Sequence, residues 1–413
     1  MENSPGSSGR KTNEGKNWIL SGSQQPSIMP TSRIAIATKL PSTGTTVFSV
    51  MSKLALDHGA LNLSQGFPGF PVDTRLISLV NRYMEKGYNQ YAPMQGLPEL
   101  RTRLSKMLES LYGRYYHPAE EITITAGGTQ ALFTAITALV RPGDEVIVFE
   151  PAYDCYVPAI ELAGGIPVYC QLNAPDYRVP WPALRKLINR RTRMIVVNNP
   201  HNPSGTVWTH QDILELDKIS RDSQIIVLSD EVYEHIVLDN RLHESMARNE
   251  KLSERSLIVG SFGKTLHATG WKMGYIAGPA ELIQEFRKVH QYNVFSCNTP
   301  IQWAIAEYLE DEQVYLGLRE FYTAKRDYFL RGLQGSRFEW TPAEGTYFQL
   351  LNYSKLSTEK DFDLARQLTT NNGVASIPVS VFNHNGKDDK MLRFCFAKDE
   401  RTLEEATNIL RQI

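Results

Sequence analysis

From about residue 120 onward, short runs of apolar residues alternate with longer stretches whose apolar positions recur every three or four residues. The short runs predict strands at 122–125, 145–149, 167–172, 194–198, 224–229, 256–259 and 275–278. The longer stretches predict helices at 129–140, 153–163, 181–190 and 210–222. Punctuation agrees with this reading. Arg141-Pro142-Gly143-Asp144 and Gly164-Gly165 close two of the helices, and Pro180 and Pro182 open a third. Strands that alternate with helices in this way demand a mostly parallel sheet with helices on both faces, an α/β fold. After about Asn298 the rhythm changes. One or two helices over 299–333, strands at 337–340 and 346–351, a helix at 359–372, strands at 374–378 and 391–397 and a closing helix after Asp399 predict a smaller α+β domain.

The resulting division is a disordered tail at 1–38, an arm at 39–65 that belongs with the small domain, a large domain at 66–298 and the small domain at 299–413. A chain of 413 residues exceeds the usual single-domain size, which fits two domains sharing an interface. The tail is rich in Ser, Gly, Asn and Pro and has no long apolar stretch, so it does not read as a secretory signal.

Composition narrows the function classes. The chain is 42% hydrophobic and 22% charged, with 44 Lys+Arg against 45 Asp+Glu. A near-neutral chain has no electrostatic footprint for nucleic acid or for an anionic membrane. No apolar run approaches the roughly 20 residues that span a bilayer. Four cysteines stand far apart with no CxxC pair, as expected of free thiols in a reducing cytoplasm. The nine histidines lack metal-ligand spacing, so no metal site is expected.

In parallel α/β sheets ligands bind beyond the carboxyl ends of the strands, and those ends carry the chemistry here. Gly127-Gly128-Thr129 opens a helix, where glycines let the backbone approach an anion and free N–H groups face it. Tyr153 follows the next strand, Asn202 lies in the turn Asn199–Gly205, and Asp230 ends the strand before Tyr233. Lys264 stands in a small-residue loop just beyond Ser261, with Lys272 eight residues on. Lysine amines form Schiff bases with aldehydes, and pyridoxal phosphate is the commonest aldehyde cofactor. Ser261, Thr265 and Lys272 are placed to hold its phosphate. Each residue alone also fits a bland account: a helix cap, a core tyrosine, a solvated lysine loop. It is their joint occurrence at five consecutive strand ends that points to a site.

These segments, with Asn62–Pro68 (NLSQGFP), Asn89-Gln90-Tyr91, Ser261–Gly274 and Leu392–Phe396 (LRFCF), resemble the fold-type I pyridoxal-phosphate aminotransferases of class I. Within that family they are similar to the bacterial methionine aminotransferases and to the kynurenine aminotransferase/cysteine-conjugate β-lyase group. The matching pieces run in order through residues 40–413. The resemblance implies an aspartate aminotransferase-like architecture and a role for each residue. Lys264 would bond to pyridoxal 5'-phosphate and carry the α-proton. Asp230 would pair with the ring nitrogen, and Tyr233 and Asn202 would bond the phenolic oxygen. Tyr153 would stack on the ring. Gly128, Thr129, Ser261 and Lys272 would bind the phosphate. Tyr91 would reach the active site of the neighbouring subunit, making the active unit a homodimer.

Arg393 is the substrate handle that the resemblance implies, because a guanidinium meets a carboxylate through two parallel hydrogen bonds. Gly66 and Asn202 would complete that site. Phe48, Phe67, Tyr91, Tyr292 and Phe295 would line an apolar side-chain pocket. No second arginine stands where a dicarboxylate would need one. The expected reaction is transfer of an amino group between an L-amino acid and a 2-oxo acid, with methionine first and kynurenine, phenylalanine or glutamine as rivals. β-Elimination from a cysteine conjugate is the alternative on the same fold. A non-catalytic cofactor-binding regulator would need an added DNA-binding domain, and a nicotinamide enzyme would need GxGxxG after the first strand. Two positions depart from the family pattern: Gly69, where aspartate is frequent, and His267, where many relatives carry a small residue.

Overall fold

A computed structural model describes residues 37–41 and 43–413, so the tail expected at 1–38 lies, but for its last two positions, outside the described residues. A two-residue strand, β1 (Leu61–Asn62), precedes the strands of a central sheet. These are β2 (Ile122–Thr125), β3 (Glu145–Glu150), β4 (Ile166–Gln171), β5 (Thr192–Asn198), β6 (Ile226–Asp230), β7 (Ser256–Ser261) and β8 (Gly274–Ala277). Then come β9 (Phe348–Asn352), β10 (Val374–Ala375), β11 (Ile377–Pro378) and β12 (Met391–Cys395).

The central sheet has the order β2-β8-β7-β6-β5-β3-β4. Strands β4, β3, β5, β6 and β7 are mutually parallel, and β8 alone runs against its neighbours β7 and β2. Strands β3 and β6 are buried along their whole length, which is why they read as unbroken apolar runs. Alternation along β3 then divides the core. Val146 and Val148 pack with Ala131, Leu132, Ala135 and Ile136 of the helix Gly128–Leu139, whereas Ile147 and Phe149 belong to the core on the opposite face.

Because the parallel strands are in register, their carboxyl ends form one rim. Asn198 lies opposite Asp230, and Asp230 lies opposite Val259. Beside this sheet, β11, β12 and β9 form an antiparallel sheet, and β1 pairs in parallel with β10. The chain after β1 stays on that side. Cys395 N–H donates to Leu63 O (2.8 Å), and Gly69 N–H to Ala397 O (2.8 Å). Residues 63–69 are thereby fixed against the end of β12, and Gly66 O in this segment accepts from Lys264 Nζ just beyond β7.

Several element boundaries differ from expectation for local reasons. The helix expected from 153 begins at Tyr156. Pro158 has no N–H to give a helix interior, and this start places it in the first turn. The strand expected at 337–340 is a single bridge, Glu339 to Asn352, followed closely by Pro342, which cannot extend a ladder. The stretch 299–333 is three helices, Thr299–Tyr308, Gln313–Leu316 and Leu318–Gly332.

Gly260 in β7 is covered by the Tyr275 ring. A Cβ there would sit 2.2–2.3 Å from two ring carbons and 2.6 Å from the hydroxyl oxygen of Tyr275, and that hydroxyl is tied to Glu234. Gly260→Ala therefore overpacks a fixed ring, which costs about 1–3 kcal/mol. A lowered midpoint in thermal unfolding is expected; an unchanged midpoint would mean the ring yields freely.

Candidate active site

A cavity of about 150 Å³ opens at the carboxyl ends of β5, β6 and β7, and is lined by residues from each of them. Gly128, Thr129, Tyr153, Asn202, Asp230, Tyr233, Ser261, Lys264 and Lys272 all line it. The rim brings them together because each lies at or just beyond a strand end, or, for Lys272, just before β8.

One end of the cavity is built for an anion. The helix Gly128–Leu139 starts after Gly127, which has φ 86°, and no side chain caps its first N–H groups. A Cβ on Gly128 would press on Val232 Cγ1 at 2.8 Å, so only glycine lets the helix start this close. Lys272 adopts a left-handed conformation, φ 54°, that brings its side chain over this terminus. Its Nζ would lie 3.5 Å from a Cβ built on Gly127. Among the described residues Lys272 forms no salt bridge, so its charge joins the helix's positive end unopposed. Ser261 and Thr129 border the same space, and Thr129 Oγ1 lies 3.5 Å from Tyr153 Oη.

At the floor, Asp230 is buried at the end of β6. Tyr156 Oη donates to its Oδ2 (2.5 Å), and Val232 N–H reaches its Oδ1 (3.4 Å). Burial pushes the carboxyl up to about 6, against the Tyr156 hydrogen bond. A group that faces Asp230 with a positive charge would find a partner ready to ionise.

Lys264 lies in a single helical turn, Phe262–Thr265, and not in the open loop that the sequence predicts. Its Nζ donates to Tyr347 Oη (2.9 Å) and to Gly66 O (3.2 Å), and it stands 5.5 Å from the Tyr233 ring centre. Burial pushes this amine down to about 8, with Arg393 and Lys272 adding to the effect and Cys395 and Asp230 opposing it. A substantial neutral fraction is therefore present near physiological pH, as a nucleophile or proton acceptor requires.

Arg393 is 1% exposed in the middle of β12. One Nη donates to Asn202 Oδ1 (2.7 Å) and the other to Ser64 O (3.0 Å), while Nε has no partner. Asn202 is held in turn by its N–H to Asn198 Oδ1 (2.8 Å). The guanidinium lies 3.9 Å from the Phe348 ring centre, with Phe48 and Phe382 at 5.3 and 5.4 Å. Among the described residues no carboxylate pairs with it. A buried cation without a counter-ion is costly, and an unsatisfied buried donor adds to that cost. Both deficits are removed by one ligand, a carboxylate.

The remaining expected residues are dispersed. Phe48 is beside Arg393, and Gly66 presents its carbonyl to Lys264. Tyr91 is 81% exposed, with its ring edge-on to Phe295 (5.1 Å), and Tyr292 is 91% exposed. Phe67 lies under Lys398 Nζ (4.4 Å from the ring centre). At Gly69 a Cβ would meet Lys398 Cδ at 3.0 Å. His267 packs among Phe70, Phe321 and Tyr322, with burial pushing its imidazole down to about 4. Tyr156, Tyr347 and Asn198 are the site's members that sequence reasoning missed. Asn198 sits in a matched segment; Tyr156 and Tyr347 sit among other core aromatics, with nothing in the sequence to set them apart.

The family profile described as aminotransferase class I and II matches residues 59–410. The chain is 48% identical over 376 residues to methionine aminotransferase of Escherichia coli, covering 91% of this chain and 97% of that protein. It is 33% identical over 395 residues to human kynurenine–oxoglutarate transaminase 1, covering 87% and 94% respectively. A solved Escherichia coli structure, for which a methionine aminotransferase function was identified, superposes with a TM-score of 0.90 at 48% identity, covering 92% of this chain and all of that one.

Proposed function

The chain belongs to the class I and II aminotransferases and is a transaminase, and from that premise we propose that pyridoxal 5'-phosphate occupies the cavity and that methionine is the preferred amino donor. The observation that carries the cofactor assignment is the meeting of Lys264, Asp230 and Lys272 in one cavity. The residues fit the group at each end. Lys272, Ser261, Thr129 and the N–H groups at Gly128 suit a phosphate, Asp230 suits a ring nitrogen, and Tyr153 offers an aromatic face. When bound, the cofactor supplies an aldehyde that takes up the amino group and a ring that accepts electrons as the α-proton leaves.

The protein's own residues do the rest. Arg393 takes the substrate carboxylate with its unpartnered Nε and a neighbouring Nη, and so fixes the α-carbon against the cavity. Asn202 and Ser64 hold the guanidinium in place while this happens. Asp230, ionised beside a positive ring nitrogen, keeps that nitrogen protonated. Lys264 would take the proton from the substrate's α-carbon and deliver it to the carbon on the other side of the amino nitrogen. Tyr233 and Asn202 stand ready to bond a phenolic oxygen at the cavity wall. Burial of Asp230 and Arg393, with Lys264 half-buried beside them, limits bulk water at these charges, which strengthens each contact.

The donor assignment rests on the relatives' names and on the absence, among the described residues that line the cavity, of an arginine for a second carboxylate; kynurenine, aromatic amino acids and glutamine rank after methionine. The same reading makes the active unit a homodimer. Tyr91, Tyr292 and Phe295 expose apolar rings that a second copy would cover, with Tyr91 reaching the neighbouring cavity. It also takes 66–298 as the cofactor-binding part and 39–65 with 299–413 as the smaller part that carries Arg393. All four cysteines are free, which supports a cytoplasmic setting.

The test is a visible spectrum of cofactor-loaded protein before and after methionine. A yellow band that bleaches on adding methionine without oxo acid, and returns on adding a 2-oxo acid, is the expected result. In a donor panel methionine should give the highest kcat/KM. A strong preference for aspartate would overturn the donor assignment, and release of ammonia in place of oxo-acid exchange would point to elimination.

A further inference from the structure

Tyr347 immediately precedes β9 and is buried, its ring set by Tyr233 (centroids 5.1 Å apart), Phe348 (5.0 Å) and Tyr322 (5.8 Å). Its hydroxyl has one hydrogen, which is donated to Gly66 O at 2.6 Å. Towards Lys264 Nζ, 2.9 Å away, the same oxygen can therefore only accept. Gly66 O accepts from the same amine at 3.2 Å. A neutral amine has two hydrogens and one lone pair. Both hydrogens point at atoms outside the cavity lining, since neither Gly66 nor Tyr347 belongs to it, whereas Lys264 does. The lone pair is left facing the cavity.

Resting on the reading of Lys264 as the proton carrier, we propose that Tyr347 is a positioning residue: with the Gly66 carbonyl it holds the Lys264 amine whenever that amine is not bonded to the cofactor, lone pair towards the substrate's α-carbon. The step it prepares is a plain proton transfer. The α-C–H bond breaks, its electron pair stays with the substrate, and the proton joins the lone pair as the amine's third hydrogen. Tyr347 and Gly66 keep their contacts throughout, so the new hydrogen is the one that faces the substrate and is the one returned. The charged and titratable groups around the amine, namely Asp230, Arg393, Lys272, Cys395 and Tyr233, set its affinity for the proton. Only Tyr347 and Gly66 are hydrogen-bonded to it among the described residues and so set its direction.

Tyr347→Phe keeps the ring and removes the oxygen. In cofactor-free protein the readout is the pH dependence of acylation at Lys264, followed by mass spectrometry of its peptide. An accepting oxygen favours the charged amine, so its loss is expected to move the labelling midpoint to lower pH. In holoenzyme turning over methionine deuterated at the α-carbon, kcat is expected to fall about 10-fold or more through misalignment, with a larger isotope effect and little change in KM. Tyr322→Phe is the control, because the Tyr322 hydroxyl has no hydrogen-bond partner, and it should move neither readout. If the Phe variant does not fold, 3-fluorotyrosine placed at 347 weakens the same acceptor and should move the midpoint the same way. Borohydride trapping separates the two levels. Trapping at Lys264 with an unmoved midpoint and isotope effect overturns the Tyr347 assignment alone, whereas no trapping at Lys264 in the unaltered holoenzyme overturns the reading of Lys264 and this proposal with it.

Discussion

Replacing Lys264 by alanine is expected to abolish borohydride fixation of the cofactor and to lower transamination at least about 10²–10⁴-fold, the contribution of a positioned general base. Burial pushes the amine down to about 8, so it combines access to the cavity with a substantial neutral fraction near pH 8. Lys272, the cavity's other lysine, stands at the anion end against Gly127 and cannot substitute for it. The fold should tolerate the change. The amine's two hydrogen bonds go to Tyr347 and Gly66, which keep each other, and a half-buried, reluctant cation is removed. The thermal midpoint of the cofactor-free variant should therefore stay close to that of the unaltered protein. Fixation of cofactor at another lysine, with activity retained, would sink the assignment.

How much of this was legible beforehand follows from where each residue sits. Strands β3, β5 and β6 could be read because strands covered on both faces are written as continuous apolar runs, and a parallel sheet then places Asn202, Asp230 and Lys264 along one rim. Lys272 was legible as a cation but not as a partner of Gly127, since its left-handed backbone depends on the turn into β8. Arg393 could be expected to be buried, between Leu392 and Phe394; that its Nε is unpartnered depends on β11 and β9 flanking it and on Asn202 arriving from the other sheet. Tyr156 and Tyr347 were hidden because their importance lies in one oxygen each, and a tyrosine in an apolar run reads as core whichever way its hydroxyl points. Lys264 was read as lying in an open loop because the one-turn helix that carries it is too short to leave a periodic pattern.

Arg393 sets the second large effect. Arg393→Ala leaves the substrate carboxylate facing Phe48, Phe348 and Phe382 with no cation, in a site already removed from water. Truncating one member of a buried, hydrogen-bonded charge pair costs about 2–5 kcal/mol. At 1.36 kcal/mol per factor of ten, kcat/KM for methionine should fall roughly 30- to 5,000-fold. Arg393→Lys restores the charge but not the fork. A lysine has no planar pair of N–H groups to meet both carboxylate oxygens while also reaching Asn202 and Ser64, so it should recover only part of the loss. Burial pushes the Arg393 guanidinium down only to about 10, so it stays charged at physiological pH and the loss should not depend on pH between about 6 and 8. The decisive comparison uses 3-(methylthio)propylamine, the methionine analogue that lacks the carboxylate. If Arg393 works through that group, the alanine variant and the unaltered enzyme should turn over the amine at similar, low rates. If instead the variant is as impaired with the amine as with methionine, Arg393 acts on the cavity and not on the substrate, and the carboxylate must be bound elsewhere.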